Sequence, residues 1–169
     1  MTNELQITEV SLINETLLEE LSDLLIEVVE SGASIGFLSP LSKEAAREYW
    51  KDLLGQGVIL WVARLNQKVC GTIQLHLVLR ANGLHRAEVV RLMVHPEQRR
   101  NGIARNLMST LEQKAKQEGT TLLFLDTRAG DPSNILYKSQ GYIEAGSIPR
   151  YAKSSNGELD ATVFYYKEI

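Results

Sequence analysis

Between Gly55 and Val94 the chain abandons the helical period, and that switch limits what it can fold into. The run VILWVAR (58–64) is continuously apolar yet only of strand length, the pattern of a strand covered on both faces. Asn66-Gln67 turns the chain into TIQLHLVL, where Thr72, Gln74 and His76 alternate with Ile73, Leu75, Leu77 and Leu79. Asn82-Gly83 reads as a two-residue hairpin turn leading into RAEVVRLMV (86–94). Three meandering strands of this kind need helices as cover.

The flanking segments supply them. After a short strand near Gln6–Leu12, Asn14 reads as the N-cap of a helix whose Leu17, Leu18, Leu21, Leu24, Leu25, Val28 and Val29 follow the 3.6 period, with Gly32 as its stop. A second helix spans SPLSKEAAREYWKDLLG, with Ser39-Pro40 at its start and Gly55 at its end. The helical period returns at Asn101 and runs to Gly119 through Ile103, Leu107, Met108, Leu111 and Ala115. LLFLD is another buried-looking strand, and Asp131-Pro132 starts a short helix ending at Gly141. YIEAGSI and ATVFYYKEI are the last strands, joined by a long turn over YAKSSNGELDA (151–161). The expected fold is therefore α/β (α+β): a mixed, mostly antiparallel sheet of six to seven strands flanked by helices, with a right-handed parallel crossover from Glu88 to Asp126. All 169 residues form one domain, 1–169.

Inside that crossover lies VHPEQRRNGIARNLM (94–108). Most helices begin with a polar cap and acidic residues. This one begins with Arg99, Arg100, Asn101 and Gly102, followed by Ile103, Ala104 and Arg105. A basic helix start with a glycine is poor capping but good anion binding. At the end of the preceding strand its free N–H groups from residue 100 to 105 would point outward, and Gly102 would let an anion reach the backbone. Arginines add bidentate donors suited to phosphate. A surface helix start with solvated arginines is the plainer alternative. The spacing matches neither a dinucleotide fingerprint nor a nucleotide-triphosphate loop.

The net charge of −3 argues against a nucleic-acid binder, so the arginine cluster must act locally. Cys70 is the lone cysteine, which leaves no internal disulfide. No apolar run nears the roughly 20 residues that span a bilayer. MTNELQITEV lacks the features of a signal peptide, and a cytoplasmic location is expected.

The stretch 94–108 resembles the acyl-CoA motif Q/R-x-x-G-x-G/A of the GCN5-related N-acetyltransferases, with Arg99, Gly102 and Ala104 in the three fixed places. The downstream DPSNILYKSQGY resembles that family's second signature, and the order of strands and helices is similar along nearly the whole chain. The resemblance implies acetyl-CoA as co-substrate, with its pyrophosphate on the amides of residues 99–105. It also implies strand-like pairing of pantetheine with the backbone near Met93 and Val94, and contact between Asn134 and the cofactor's arm. The Val94 N–H would meet the oxyanion. GASIGF, NGLHRAEVVRLMV, LDTRAG and the tail from Pro149 resemble the tabtoxin-resistance acetyltransferases of the family, which implies a small, amino-acid-like toxin or antibiotic amine as acceptor.

Acetylating an amine requires removing a proton, since free amines titrate at about 8 to 10.4. A two-residue turn at Asn82-Gly83 would set Leu77 opposite Glu88 and put that carboxylate on the apolar stripe of the sheet. Burial there implies pairing, for example with Arg86, or function. Asp126 ends a buried strand where open sheets hold ligands; it is either a second candidate base or a turn residue. Tyr137 shares a helix face with Asn134 and matches the family's general acid, packing being the alternative. Phe37 and Tyr151 are expected to border the acceptor. Cys70 has no basic neighbour in sequence to activate it, and the three histidines show no metal-ligand spacing, so direct attack without a metal is expected. Two rival readings are a peptide or protein amine acetyltransferase and a non-catalytic acyl-CoA-binding module. Neither nucleic acid nor membrane is an expected partner, and the chain is expected to be a monomer or a homodimer.

Overall fold

Asn14 caps the first helix as the sequence demands, its side-chain oxygen accepting from the Leu17 N–H at 2.9 Å. In the computed structural model, which describes residues 4–169, strand β1 (Gln6–Glu9) precedes helix α1 (Glu15–Glu30). Ser42 caps α2 (Lys43–Lys51) by accepting from Ala45 N–H. The second helix thus begins past Pro40 and ends before Gly55, within the expected span. Strands β2 (Val58–Leu65), β3 (Lys68–Leu77) and β4 (Arg86–Val94) follow, then α3 (Ile103–Gln117), β5 (Leu122–Arg128), α4 (Ser133–Ser139) and the hairpin β6 (Ile143–Lys153) and β7 (Leu159–Glu168).

These strands form one seven-stranded sheet in the order β1-β2-β3-β4-β5-β7-β6, antiparallel except for the β4–β5 pair. The α/β fold is the expected mixed, mostly antiparallel one. One face carries α1 and α2 on a core that includes Leu21, Leu25, Trp50, Leu60 and Val62. The other carries α3 and α4 on Ile73, Leu75, Leu107, Leu111 and Tyr165. The alternation in β3 is therefore a difference between two covered faces. Thr72 and Gln74 are fully buried, with Thr72 donating to the Trp61 carbonyl and Gln74 to the Tyr49 hydroxyl.

The structure corrects the β3–β4 register. Leu77 faces Ala87, and His76 faces Glu88. Asn82-Gly83 belongs to a 3₁₀ turn, Ala81–Gly83, closed by the Gly83 N–H on the Arg80 carbonyl, inside the longer connection 78–85. A Cβ on Gly83 would stand 2.5 Å from Val78 Cγ1, so glycine is needed for close approach and not for a two-residue turn. A one-residue slip moves a strand's side chains to the opposite face. Glu88 accordingly lies on the α1/α2 face with Gln74 and His76, not on the stripe of Ile73 and Leu75.

The C-terminal hairpin is also longer than expected. Ala152 pairs Asp160 and Lys153 pairs Leu159, so much of 151–161 is strand. An irregularity between Ile148 and Ala152, where Arg150 takes φ 52°, carries the ladder past Pro149. The turn is only Ser154–Glu158, closed by the Ser154 N–H on the Glu158 carbonyl.

Candidate active site

Strands β4 and β5 pair only from Arg86↔Leu122 to Glu88↔Phe124. Beyond that point each runs on without the other, β4 to Val94 and β5 to Arg128, and the gap between them is a cleft of about 1010 Å³. That is about the upper end of the range for single small-ligand pockets. Its walls are the segment after α1 (Ser31–Gly36), the diverging strands, the start of α3, α4 and Tyr151 of β6.

One end of the cleft is built for an anion. Gly102 is the N-cap of α3 with φ 76°, no side chain caps the helix, and no acidic residue occupies its first turn. The first helical bond is Asn106 N–H to the Gly102 carbonyl at 3.1 Å, which leaves the amides of Ile103, Ala104 and Arg105 outside the helical ladder. Space above Gly102 is open: a Cβ there would meet nothing nearer than Asn106 Nδ2 at 4.0 Å. Arg99, Arg100, Gly102, Ile103, Ala104 and Arg105 all line the cleft. Arg99 is tethered across it to Ser31 Oγ on the α1 side, and Arg105 to Ser139 Oγ on the α4 side, each at 2.9 Å. Asn101 faces away and donates to the Gln98 carbonyl. Amides, dipole and three cations suit a pyrophosphate.

Met93 and Val94 form the β4 wall. His95 N–H is spent on the Cys70 carbonyl across the β3 side. Successive amides of an extended strand alternate in direction, so the Val94 N–H points toward the gap. Asn134 does not line the cleft. Its amide donates to the carbonyls of Arg128 and Asp131, both at 2.9 Å, while its oxygen accepts from the Tyr165 hydroxyl at 2.7 Å. It holds the β5–α4 turn.

At the other end, Glu88 and Asp126 meet on one face of neighbouring strands, since Glu88 faces Phe124 and Asp126 lies two residues on. Neither side chain makes a hydrogen bond or ion pair among the described residues. Arg86 donates to the Asn82 carbonyl instead of pairing with Glu88. Burial, and then the Asp126 charge, push the Glu88 carboxyl above its ordinary range against the opposing pull of Arg91. Asp126, more open to the cleft, is raised by burial and likewise opposed by Arg91. Tyr137 enters from the opposite face, buried against the rings of Tyr142 and Tyr165. Burial and the Asp126 charge raise its pKa far above that of a free phenol, so it keeps its proton at neutral pH. Two carboxyls and a protonated phenol thus line one cleft.

Tyr151 lines the cleft, its ring edge-on to Phe164. Phe37 stands behind the wall against Tyr49 and Arg91. The Cys70 thiol is buried, donates to the Ala63 carbonyl at 3.3 Å and is pushed up by desolvation, which makes it a poor nucleophile. Two cleft residues escape a reading of the sequence. Arg128 donates to Asp131, Ser154 Oγ and the Gly32 carbonyl, joining three elements at the cleft mouth. Arg91 reaches the Ser31–Gly36 wall from the middle of β4 and donates to the Ile35 carbonyl. A single cation inside VVRLMV is the one sequence signal for it.

Residues 19–142 match the model of the Acetyltransferase (GNAT) family. An uncharacterized N-acetyltransferase in the hisH-hisA intergenic region of Azospirillum brasilense is 33% identical over 114 residues, covering 66% of this chain and 68% of its own length. The [ribosomal protein bS18]-alanine N-acetyltransferase of Escherichia coli strain K12 is 31% identical over 81 residues; the match spans 47% of this chain and 55% of that protein. The fold is shared with an aminoglycoside 6'-N-acetyltransferase complexed with coenzyme A, at a TM-score of 0.77 and 19% identity over 96% of both chains.

Proposed function

The chain belongs to the acetyltransferase (GNAT) family, and from that premise we propose that it transfers acetyl from acetyl-CoA to the primary amine of a small molecule by direct attack in a ternary complex. The observation that carries the small-molecule reading is a hydrogen-bonded bridge beside the acceptor end. Ser39 N–H donates to Ser155 Oγ at 3.0 Å, which ties the α1–α2 connection to the tip of the β6–β7 hairpin. Arg128 makes the same join from below, through Gly32 and Ser154. A peptide laid across this bridge would have to displace its contacts, whereas a small amine would not. The resemblance to the tabtoxin-resistance acetyltransferases points to the same class, an amino-acid-like toxin or antibiotic.

Acetyl-CoA supplies the activated acyl carbon as a thioester. The amides of residues 103–105 with Arg99, Arg100 and Arg105 hold its pyrophosphate, and Met93 and Val94 guide the arm toward the carboxylates. The Val94 N–H receives the charge that develops on the carbonyl oxygen. Glu88 takes the amine proton, directly or through water, with Asp126 as its neighbour in charge. The amine nitrogen bonds to the acyl carbon, the carbon–sulfur bond breaks, and the Tyr137 hydroxyl protonates the departing sulfur. The products are an amide and free CoA thiol.

The relative whose name specifies a ribosomal-protein alanine favours one competing reading, acetylation of a peptide N-terminus. Thiol release from acetyl-CoA, followed across a panel of small amines and peptides, decides between them. Amino-acid-like toxins, polyamines or aminoglycosides are expected to drive release at rates at least about 10-fold above any peptide. Release driven by peptide N-termini alone would overturn the small-molecule reading. Removing Ser155 as Ser155→Ala would then have no effect on selectivity, whereas a bridge that keeps peptides out admits them better without it.

A further inference from the structure

Arg91 is the residue at which β4 bulges. Between the pairs Thr72↔Met93 and Gln74↔Val90, β3 contributes Ile73 alone while β4 contributes Arg91 and Leu92. Arg91 takes φ 55°, a conformation that side-chain-bearing residues seldom adopt and that must be held by its surroundings. What holds it is the acceptor wall. Its Nε donates to the Tyr49 hydroxyl at 3.1 Å, and its Nη1 donates to the Ile35 carbonyl. The guanidinium carbon lies 5.2 Å from the Phe37 ring centroid and 5.4 Å from that of Tyr49. The seat is shaped for it: a Cβ on Gly36 would stand 2.8 Å from Nη1. The Tyr49 hydroxyl also accepts from Gln74 Nε2 at 3.0 Å, and Gln74 Oε1 is 2.8 Å from His76 Nε2. One polar chain therefore runs from the acceptor loop through Arg91, Tyr49 and Gln74 to His76, the cross-strand partner of Glu88.

We propose that Arg91 is the positioning residue of the acceptor site. Its guanidinium pins segment 33–37 to α2 and β4 as a fixed wall, and sets a permanent positive charge beside Glu88 and Asp126. The wall stands on geometry alone; the use made of the two carboxylates rests on the proposed acetyl transfer. The groups nearest those carboxylates are Arg91 on β4 and His76 on β3, with Tyr137 on α4 beside Asp126. Arg128, two residues beyond Asp126, is engaged by Asp131. Arg91 opposes the upward shift of both carboxyls, so removing it should raise them further.

The test compares wild type with Arg91→Lys and Arg91→Met by three measurements. Backbone NMR order parameters over residues 33–37 read the wall without any substrate. Carboxyl-carbon NMR titration of Glu88 and Asp126 reads the charge. Steady-state kinetics read KM for the amine apart from KM for acetyl-CoA. Arg91→Met should lower the order parameters of 33–37 from the rigid value of about 0.85 toward the flexible range below about 0.6, while the sheet stays rigid. It should also move both carboxyl titrations to higher pH, and raise the amine KM by about 10-fold with acetyl-CoA KM nearly unchanged. Arg91→Lys should keep the titrations in place yet loosen the wall, because an ammonium lacks the planar fork. Unmoved titrations in Arg91→Met, or order parameters over 33–37 that stay at the wild-type values, would overturn the proposal. Failure of every amine to be acetylated by wild type would count against the proposed function, while order parameters and titration would still decide the role of Arg91.

Discussion

Gly102→Glu is expected to eliminate acetyl-CoA binding while the chain stays folded. At φ 76° a side chain costs about 1–2 kcal/mol, so the melting temperature falls modestly. The larger effect is electrostatic. A carboxylate would occupy the open space above the free amides of residues 103–105, where a pyrophosphate is to sit. Placing like charges together there costs several kcal/mol, or about 100-fold or more in affinity. Gly102→Ala separates the two contributions, because it imposes the backbone strain without the charge. Calorimetry with CoA should show binding weakened slightly by alanine and lost with glutamate. Equal affinity for wild type and Gly102→Glu would remove the anion cradle from the account.

Glu88→Gln should slow turnover by about 10²–10⁴-fold, the usual worth of a general base, and abolish the acidic limb of the kcat/KM profile. The sign follows from the cleft. A base works deprotonated, and burial with the Asp126 charge lifts Glu88 above its ordinary range, so activity is lost as pH falls through that raised value. Asp126→Asn removes a charge that raises Glu88; the limb should survive and move to lower pH. The opposite result, a limb abolished by Asp126→Asn and merely shifted by Glu88→Gln, would assign the base to Asp126. Retention of an unshifted limb in both variants would sink the proton transfer altogether. Stability gives an independent check. Protonated Glu88 contributes stability that is full below the ordinary carboxylate range and lost as pH rises through its raised folded value. Glu88→Gln should therefore melt higher than wild type at neutral pH, with the gap closing in acid. A Glu88 held by a salt bridge would show the reverse. On the acid side of the reaction, Tyr137→Phe should lower kcat with little change in acetyl-CoA affinity; full activity would leave that ring a packing residue.

How much of this could be read from the chain depended on distance in sequence. The proposed anion cradle is contiguous: Arg99, Gly102, Ala104 and Arg105 occupy one strand–helix junction, so spacing alone suggests it. The long helices announced themselves through period and cap, Asn14 and Ser42 included. Glu88 stood out from the sequence as a carboxylate misplaced on an apolar stripe, and the structure gives a different reason for its interest. Its face is set by how residues 78–85 close, and Gly83 serves a tight contact with Val78 that no local rule foresees. The length of the last hairpin depended likewise on the irregularity near Arg150. Arg91 and Arg128 were hidden for a stronger reason. Their meaning lies in carbonyls and hydroxyls from other elements, Ile35, Tyr49, Gly32 and Ser154, and only the folded chain brings those together.

The claim at the centre of this account is direct transfer between two substrates held in one cleft. It is tested most simply by mixing enzyme with radiolabelled acetyl-CoA in the absence and presence of an accepted amine, and following both thiol release and label on the protein. Direct attack predicts thiol release only when the amine is present, no acetylated protein at any time, and initial-rate lines that intersect when both substrates are varied. A burst of thiol without amine, label on the chain at Cys70 or elsewhere, and parallel initial-rate lines would contradict it, since those are the marks of a covalent intermediate.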